Sequence, residues 1–433
     1  MTSFVSLDRL RFWCNRLGEQ LWVRPLAVCL ISVTVVFTAK IIDGSDYAIL
    51  APEVAQDSVE NLLSLLAASM LVIATFSVAS MVSAYAAASS SATPRSFTLV
   101  LADDVSQNAL STFVGAFIFS VVALTAVKNA FYGKAGLFVL FILTIIVFAM
   151  VIVTFVRWVD TIARLGRIGS TIEKVERATE IALKRRQDKP TLGGISISSS
   201  PRPGTAVYAS KIGYVQHIDM ATIQRWAEDV DAQVVISALP GAFASPNQAL
   251  AYVSISSEAL HKAGSDSLIN SFRIGRDRTF EDDPRFGLIA LSEIAARALS
   301  PAVNDPGTAI KVIGTLVRLI TSFNEQAQAE NQNEVEYDRV AVPKIAIPDM
   351  FDDAFMPIAR DGAGAVEVGV RLQKALSALE SLNNDEIRKA ASYHKVLALK
   401  RASKVLDVEE DLVAVKDAAH NVRPSIKQLK NKT

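Results

Sequence analysis

The sequence predicts a membrane α-helical domain of four transmembrane helices, followed by an α+β cytoplasmic region with a small β-barrel-like or sheet subdomain and a mostly helical C-terminal part. Three observations predict it. Hydrophobic residues make up 51% of the 433, and the mean hydropathy of +0.30 is too high for an average soluble protein. Four long apolar runs all fall before residue 157. The rest alternates short β-prone runs with amphipathic helical patterns.

The spans follow from length, because crossing roughly 30 Å of hydrocarbon takes about 20 apolar residues in a helix. They are expected at about 25–42, 62–88, 109–127 and 135–156, together forming a membrane domain over 25–156. Trp22, Arg24 and Lys40 flank the first, where an aromatic ring and long cationic side chains reach the headgroups. Three more spans follow it and no small-residue cleavage site does, which argues against a signal peptide.

Orientation follows from the basic residues of the short loops. Arg9, Arg11, Arg16 and Arg24 precede the first span, whereas the next loop holds Asp43, Asp46, Glu53, Asp57 and Glu60. Nine basic residues lie between Arg157 and Lys189. Both termini are therefore expected in the cytoplasm, with Lys128 and Lys134 the one discordant loop, and the location expected is the bacterial inner membrane. Residues 1–24 place Leu10, Trp13, Leu17 and Leu21 at helical spacing, the pattern of an amphipathic segment lying in the interface.

The second span is rich in alanine and serine. Small side chains let helices approach closely in lipid, and Ser69, Ser77, Ser80 and Ser83 are candidate pore-lining residues if several copies place this helix around an axis. The alternative is close packing with each hydroxyl bonded to its own helix. No span carries a charge in its middle, which argues against a proton-coupled transporter.

Residues 157–190 continue as a helical stalk, with Leu165, Ile168, Ile172 and Val175 on one stripe that packs either between subunits or on its own domain. Gly166 and Gly169 are expected kink points, and 191–206, rich in Gly, Ser and Pro, reads as a linker. A small β-rich subdomain is expected over 207–275, with strands near Tyr214–Ile218, Ala232–Ala238 and Leu250–Ile255 and a helix at Met220–Glu228. Within it GAFASPNQALAYV is similar to the hairpin of biotinyl- and lipoyl-like barrels, but has no lysine at its tip, so no carrier function is implied.

The remainder, 276–433, is expected to be mainly helical, with a strand at Val340–Ile347. It opens on GRDRTFEDDPRFG, seven of whose thirteen residues are charged. Arg276, Asp277, Arg278, Thr279, Glu281, Asp282 and Arg285 form a candidate interface or ligand loop, the flanking glycines allowing turns and the charges pairing within the loop or across a subunit boundary. Asp283 before Pro284, and Asn304 with Asp305 before Pro306, are expected helix caps. An enzymatic reading would use the carboxylates as acid, base or hard-metal ligands. However, the spacing is no metal signature, no histidine is near in sequence, and no nucleophile constellation appears, so no catalytic residue, metal or cofactor is assigned.

The four spans, Thr93-Pro94-Arg95 leading to Asp103-Asp104 and Gln107, Gly213-Tyr214-Val215-Gln216 with Ile218-Asp219, and RDRTFEDDPRFG continuing to RALSPAVNDPGTA resemble a bacterial family of predicted membrane proteins known only as a domain of unknown function. The resemblance covers nearly the whole chain and implies four transmembrane helices plus a cytoplasmic C-terminal domain. It brings no activity and no catalytic residue. Thr93 stands where serine is usual and Gly307 where threonine is usual.

Formal charge is zero, with 44 basic and 44 acidic residues, so no basic field exists to hold nucleic acid. Cys14 and Cys29 give no disulfide framework or zinc pattern. The expected partners are the lipid bilayer, further copies of the chain, and an unidentified cytoplasmic ligand or protein. A homo-oligomeric channel or conductance regulator with a gating or sensing domain is the leading function. The alternative is a non-conducting scaffold or signalling protein, and a membrane-anchored enzyme using the charged loop is third.

Overall fold

Among the described residues, four helices are long and apolar enough to cross a bilayer. They are α1 (Val23–Ile41), α2 (Gln56–Ser91), α4 (Asp104–Lys128) and α5 (Lys134–Leu165), with the short α3 (Pro94–Leu101) between the second and third. They belong to a computed structural model, which describes residues 23–41, 43, 52–91, 93–101, 104–165, 167–197, 204–329 and 335–420. The expected interfacial segment lies almost wholly outside these, as do Cys14, Asp103 and Gly166. The chain divides into two units, Met1–Thr171 and Ile172–Thr433.

In the first unit α4 is the most buried of the four apolar helices. Its Ala109, Phe113 and Ala116 pack with Leu66 and Met70 of α2 and Val151 and Trp158 of α5. One turn further on, Phe119, Ala123 and Val127 pack with Val36 of α1, Leu63 of α2 and Leu140 of α5. A side chain on Gly115 would run into Val28, so α1 and α4 approach as closely as small-residue packing in lipid allows. Except at the C-terminal end of α1, the helices outrun the expected spans. Helix α2 starts at Gln56, where Asp57 in the first turn suits the positive helix end. Helix α3 is capped reciprocally: the Thr93 N–H donates to Ser96 Oγ at 3.1 Å and the Ser96 N–H to Thr93 Oγ1 at 3.4 Å.

The unit boundary falls within α6 (Ile168–Asp188). Of the two packings open to the stalk, the second is found, because Glu173 meets Lys311 at 3.3 Å and Arg318 donates to Glu176 at 2.8 and 2.9 Å, all within the C-terminal unit.

Two open sheets follow. The five-stranded sheet has the order β1 (Gly194–Ser196), β8 (Tyr337–Val342), β4 (Val234–Ile236), β6 (Ala249–Val253), β2 (Thr205–Tyr208). Strand β8 is parallel to both neighbours, and the other pairings are antiparallel. The second sheet is β5 (Phe243–Ala244), β3 (Gly213–Ile218), β7 (Phe272–Gly275), all antiparallel. Residues 191–206, expected as a linker, thus supply β1 and the start of β2. The barrel-like alternative and its hairpin give way to sheets, because β5 pairs with β3 while β6, after a turn in which the Gln248 N–H donates to Ser245 O at 3.1 Å, joins the other sheet.

Helix α7 (Met220–Asp229) is capped by Asp219, and its Ile223, Trp226 and Ala227 close the core over Val234, Leu250, Val253 and Val340. Gln224 locks α7 to β8, donating to Asp338 at 2.7 Å and accepting the Arg339 N–H at 3.0 Å. The expected strand to Ile347 stops at Val342, since Pro343 has no N–H to continue the ladder. Short helices α8 (Ser257–Ala263) and α9 (Asp266–Asn270) lead into β7.

The remaining helices are α10 (Pro284–Ala298), α11 (Pro306–Ala329), α12 (Ile347–Asp361), α13 (Val366–Glu380), α14 (Asp385–Ala402) and α15 (Glu409–Ala419). Helix α12 packs between α10 and α14 and buries Phe351, Phe355 and Ile358 completely.

Candidate functional site

The charged loop joins β7 to α10, and most of its ions close on neighbours within the chain. Arg278 grips Asp283 at two points, Nε to Oδ2 at 2.6 Å and Nη2 to Oδ1 at 2.9 Å. Asp283 is 3% exposed and also accepts the Phe286 N–H at 3.2 Å, so one carboxylate caps α10 and pairs the arginine. Burial pushes its carboxyl above the usual range, opposed by Arg278. Arg285 spans Asp353 and Asp349 on α12, each at 2.6 Å; their four-residue spacing puts both on one face. Burial works to lower the Arg285 guanidinium, but the two carboxylates hold it above its ordinary value.

Asp282 Oδ2 lies 2.6 Å from His217 Nδ1. The sequence suggests no histidine near this loop; the antiparallel pairing of β3 with β7 brings one there from 65 residues away. Arg276, Asp277 and Glu281 are exposed and Thr279 is half-buried. The loop backbone is tied down nonetheless, with Gln216 Nε2 donating to Asp277 O at 2.7 Å and Arg185 Nη1 to Glu281 O at 3.3 Å. Neither flanking glycine turns the chain: Gly275 ends β7, and Gly287 lies inside α10, where a side chain would run into Thr179 of α6. At the second Asp-Pro start it is Asp305 that accepts the Thr308 N–H at 3.0 Å, while Asn304 sits before it in the left-handed region at φ 49°.

One cavity borders the loop, and a second adjoins the first. The smaller, about 280 Å³, is bordered by Arg278, Asp282, Asp283 and Arg285 together with Arg186, Lys344 and the Pro240–Gly241 turn. The larger, about 1110 Å³, shares Arg186, Lys344, Ile345 and Ala346 with it and extends to Phe323, Met356, Tyr393 and His394. Arg186 is the residue that sequence reasoning missed. It stands in a basic run, Lys184-Arg185-Arg186, near the end of the expected stalk, and is only 5% exposed. Burial pushes its guanidinium down to about 10, with nearby Asp282 acting the other way. Among the described residues no group of three or more His, Cys, Asp or Glu side chains is placed to hold a metal.

The four candidate serines separate. Ser77 is fully buried on the stripe of Met70, Ala74 and Met81. Ser80 and Ser83 face outward, bordering a cleft of about 450 Å³ with Phe76, Ala79, Ala84, Ile162 and Ala163. The Ser69 hydroxyl donates to Leu65 O at 2.7 Å and that of Ser83 to Ala79 O at 3.0 Å.

Against known proteins, the chain is 33% identical over 118 residues to an uncharacterized protein of Mycobacterium tuberculosis (strain CDC 1551 / Oshkosh), a match covering 27% of this chain and 23% of that protein. Uncharacterized proteins of Mycobacterium bovis (strain ATCC BAA-935 / AF2122/97) and M. tuberculosis (strain ATCC 25618 / H37Rv) match with the same identity and coverage. The chain therefore spans about a quarter of the length of these curated relatives. No solved structure matches. The family described as "Predicted membrane protein (DUF2254)" matches residues 18–378, the four apolar helices and the charged loop included, and the chain belongs to that family.

Proposed function

We propose that the protein is a homo-oligomeric channel or conductance regulator of the bacterial inner membrane, with both termini in the cytoplasm and the C-terminal unit acting as gate or sensor. The observation that carries this reading is the outward cleft of α2 and α5. Ser80 and Ser83 with Ala79, Ala84 and Ala163 leave a small-residue cleft that carries two hydroxyls between Phe76 and Ile162, on a surface otherwise rich in exposed Leu, Val, Ile and Phe. In hydrocarbon such a cleft is best covered by another helix, and copies arranged around an axis bring these hydroxyls together.

Purified protein in planar bilayers tests it, with voltage, membrane tension and osmotic stress applied in turn. Conductance reduced by Ser80→Leu or Ser83→Leu is the expected result; a silent wild-type protein under all three stimuli overturns the reading.

The second reading, a non-conducting scaffold or signalling protein, is favoured by the Ser69 and Ser83 hydroxyls, which donate to carbonyls of their own helix and so ask for no water. It predicts assembly in detergent without conductance. An enzyme built on Arg276–Arg285 gains little from the geometry, because Arg278, Asp282, Asp283 and Arg285 are each engaged by a neighbour.

A further inference from the structure

We propose that Arg186, Lys344 and the N-terminus of α12 form a binding site for a phosphoryl group, carried by an organic molecule whose remainder occupies the larger adjoining cavity. The first ground is a buried cation that no carboxylate of a described residue contacts directly, Asp282 acting on it only from a distance. Arg186 is 5% exposed, its Nη2 donates to Pro343 O at 3.0 Å, and its Nε meets neither solvent nor a hydrogen-bond acceptor among the described residues. No carboxylate of a described residue pairs with it. Those nearby are held elsewhere: Asp282 by His217, Asp283 by Arg278, and Asp349 and Asp353 by Arg285. Burying a guanidinium with no anion bonded to it is unfavourable, and an anionic ligand offsets that penalty.

The second ground is convergence on the wall between the cavities. Lys344, exposed and without an ion pair to a described residue, borders both cavities alongside Arg186. Two residues further on, Ala346 precedes α12, a helix of 15 residues whose start has no side-chain cap hydrogen bond and whose first turn offers the Ile347 and Asp349 N–H groups on either side of Pro348. A helix start offers free N–H groups and a partial positive charge, a planar guanidinium offers parallel donors, and lysine adds a point charge. Three such features suit a dianion with three equivalent oxygens better than a carboxylate.

The third ground is size. About 1110 Å³ far exceeds one inorganic ion and matches an organic ligand, with Phe323, Met356 and Tyr393 as apolar lining. Asn384, Lys389, Glu386 and Asp352 also border this space, Asp352 lying 3.2 Å from His394. They offer polar contacts to the remainder of the ligand.

Calorimetric titration of full-length protein in nonionic detergent tests the site, with inorganic phosphate, adenosine 5′-monophosphate and succinate as probes. A second arm distinguishes a lipid headgroup from a soluble ester. Protein in phosphatidylcholine nanodiscs with or without phosphatidate is examined by native mass spectrometry for one phosphatidate retained per chain and for its displacement by the nucleotide. The expected result is binding of a phosphate ester in one arm, weakened roughly ten- to a hundredfold by Arg186→Gln and about tenfold by Lys344→Ala, and unchanged by Arg388→Ala on the exposed face of α14. Lys344 is exposed, so its variant decides the matter if Arg186→Gln fails to fold. Three results each overturn the proposal: no phosphate probe bound in either arm, succinate bound as tightly as the phosphates, or phosphate binding indifferent to Lys344→Ala.

Discussion

Gly241 lies against the carboxylate of Asp283: at φ 92° it turns the chain so tightly that a side chain placed on it would run into Asp283 Oδ2 and come within 2.8 Å of Arg278 Nη2. The turn between β4 and β5 is thereby pressed onto the ion pair that caps α10. Gly241→Ala meets two penalties, a left-handed backbone and a displaced buried ion pair, and should destabilise the C-terminal unit by on the order of 2 kcal/mol or more. Urea unfolding of detergent-solubilised protein measures this; a change within about 0.5 kcal/mol, the range of ordinary surface substitutions, counts against the close packing.

Arg285 and Asp353 test the link between α10 and α12. Asp353 is the more buried of the two carboxylates on Arg285, its side chain 16% exposed against 49% for Asp349, and burial already pushes its carboxyl upward. Arg285→Met leaves it unpaired and should cost about 1–3 kcal/mol. Adding Asp353→Leu removes the stranded charge, so the double variant should recover part of that loss. A double variant as unstable as the sum of the two single ones would mean the residues are not coupled.

How much of this was legible in the sequence differs between the units. Spans show up because hydrocarbon imposes one length and one polarity, so all four were found, only their ends falling short. The Asp-Pro starts were visible because a cap and a proline are adjacent in sequence, and Asp283 caps α10. The partners of Arg285 and Asp282 were not visible. Asp349, Asp353 and His217 lie 64, 68 and 65 residues away, and only the pairing of β3 with β7 and the packing of α12 on α10 bring them close. Arg186 was hidden for a different reason, since nothing local in Lys184-Arg185-Arg186 marks which of the three turns inward to the Pro343 carbonyl.

His394 makes stability depend on pH. Its ring is 3% exposed, and burial pushes its imidazole below the ordinary value of 6.5, with Asp352 acting in the other direction and Arg401 in the same one. The unfolded chain therefore takes up a proton at a higher pH than the folded one. Its contribution is complete above the unfolded value of about 6.5 and is lost as pH falls from there toward the lower folded value. The melting temperature should rise with pH up to about 6.5 through this group, and His394→Gln should flatten that segment. An unaltered profile in the variant would assign the dependence to another residue.

Asp43 offers the sharpest test in the membrane unit, because a single carboxylate joins two loops. Its Oδ2 accepts the Gly133 N–H at 2.7 Å and its Oδ1 the Gly136 N–H at 2.6 Å, capping the start of α5 from the far end of α1, with Lys40 at 3.3 Å. Burial alone would raise this carboxyl, but the two amides and Lys40 hold it below its usual value. Asp43→Ala removes both acceptors at a helix start and should destabilise the unit by about 1–2 kcal/mol. The sign with pH follows: the contribution is present above the unfolded carboxylate value and is lost as pH falls through the depressed folded one. The gap in melting temperature between wild-type protein and Asp43→Ala in detergent should therefore be widest near neutrality and close under acid. A gap independent of pH would mean that the carboxylate acts through packing alone.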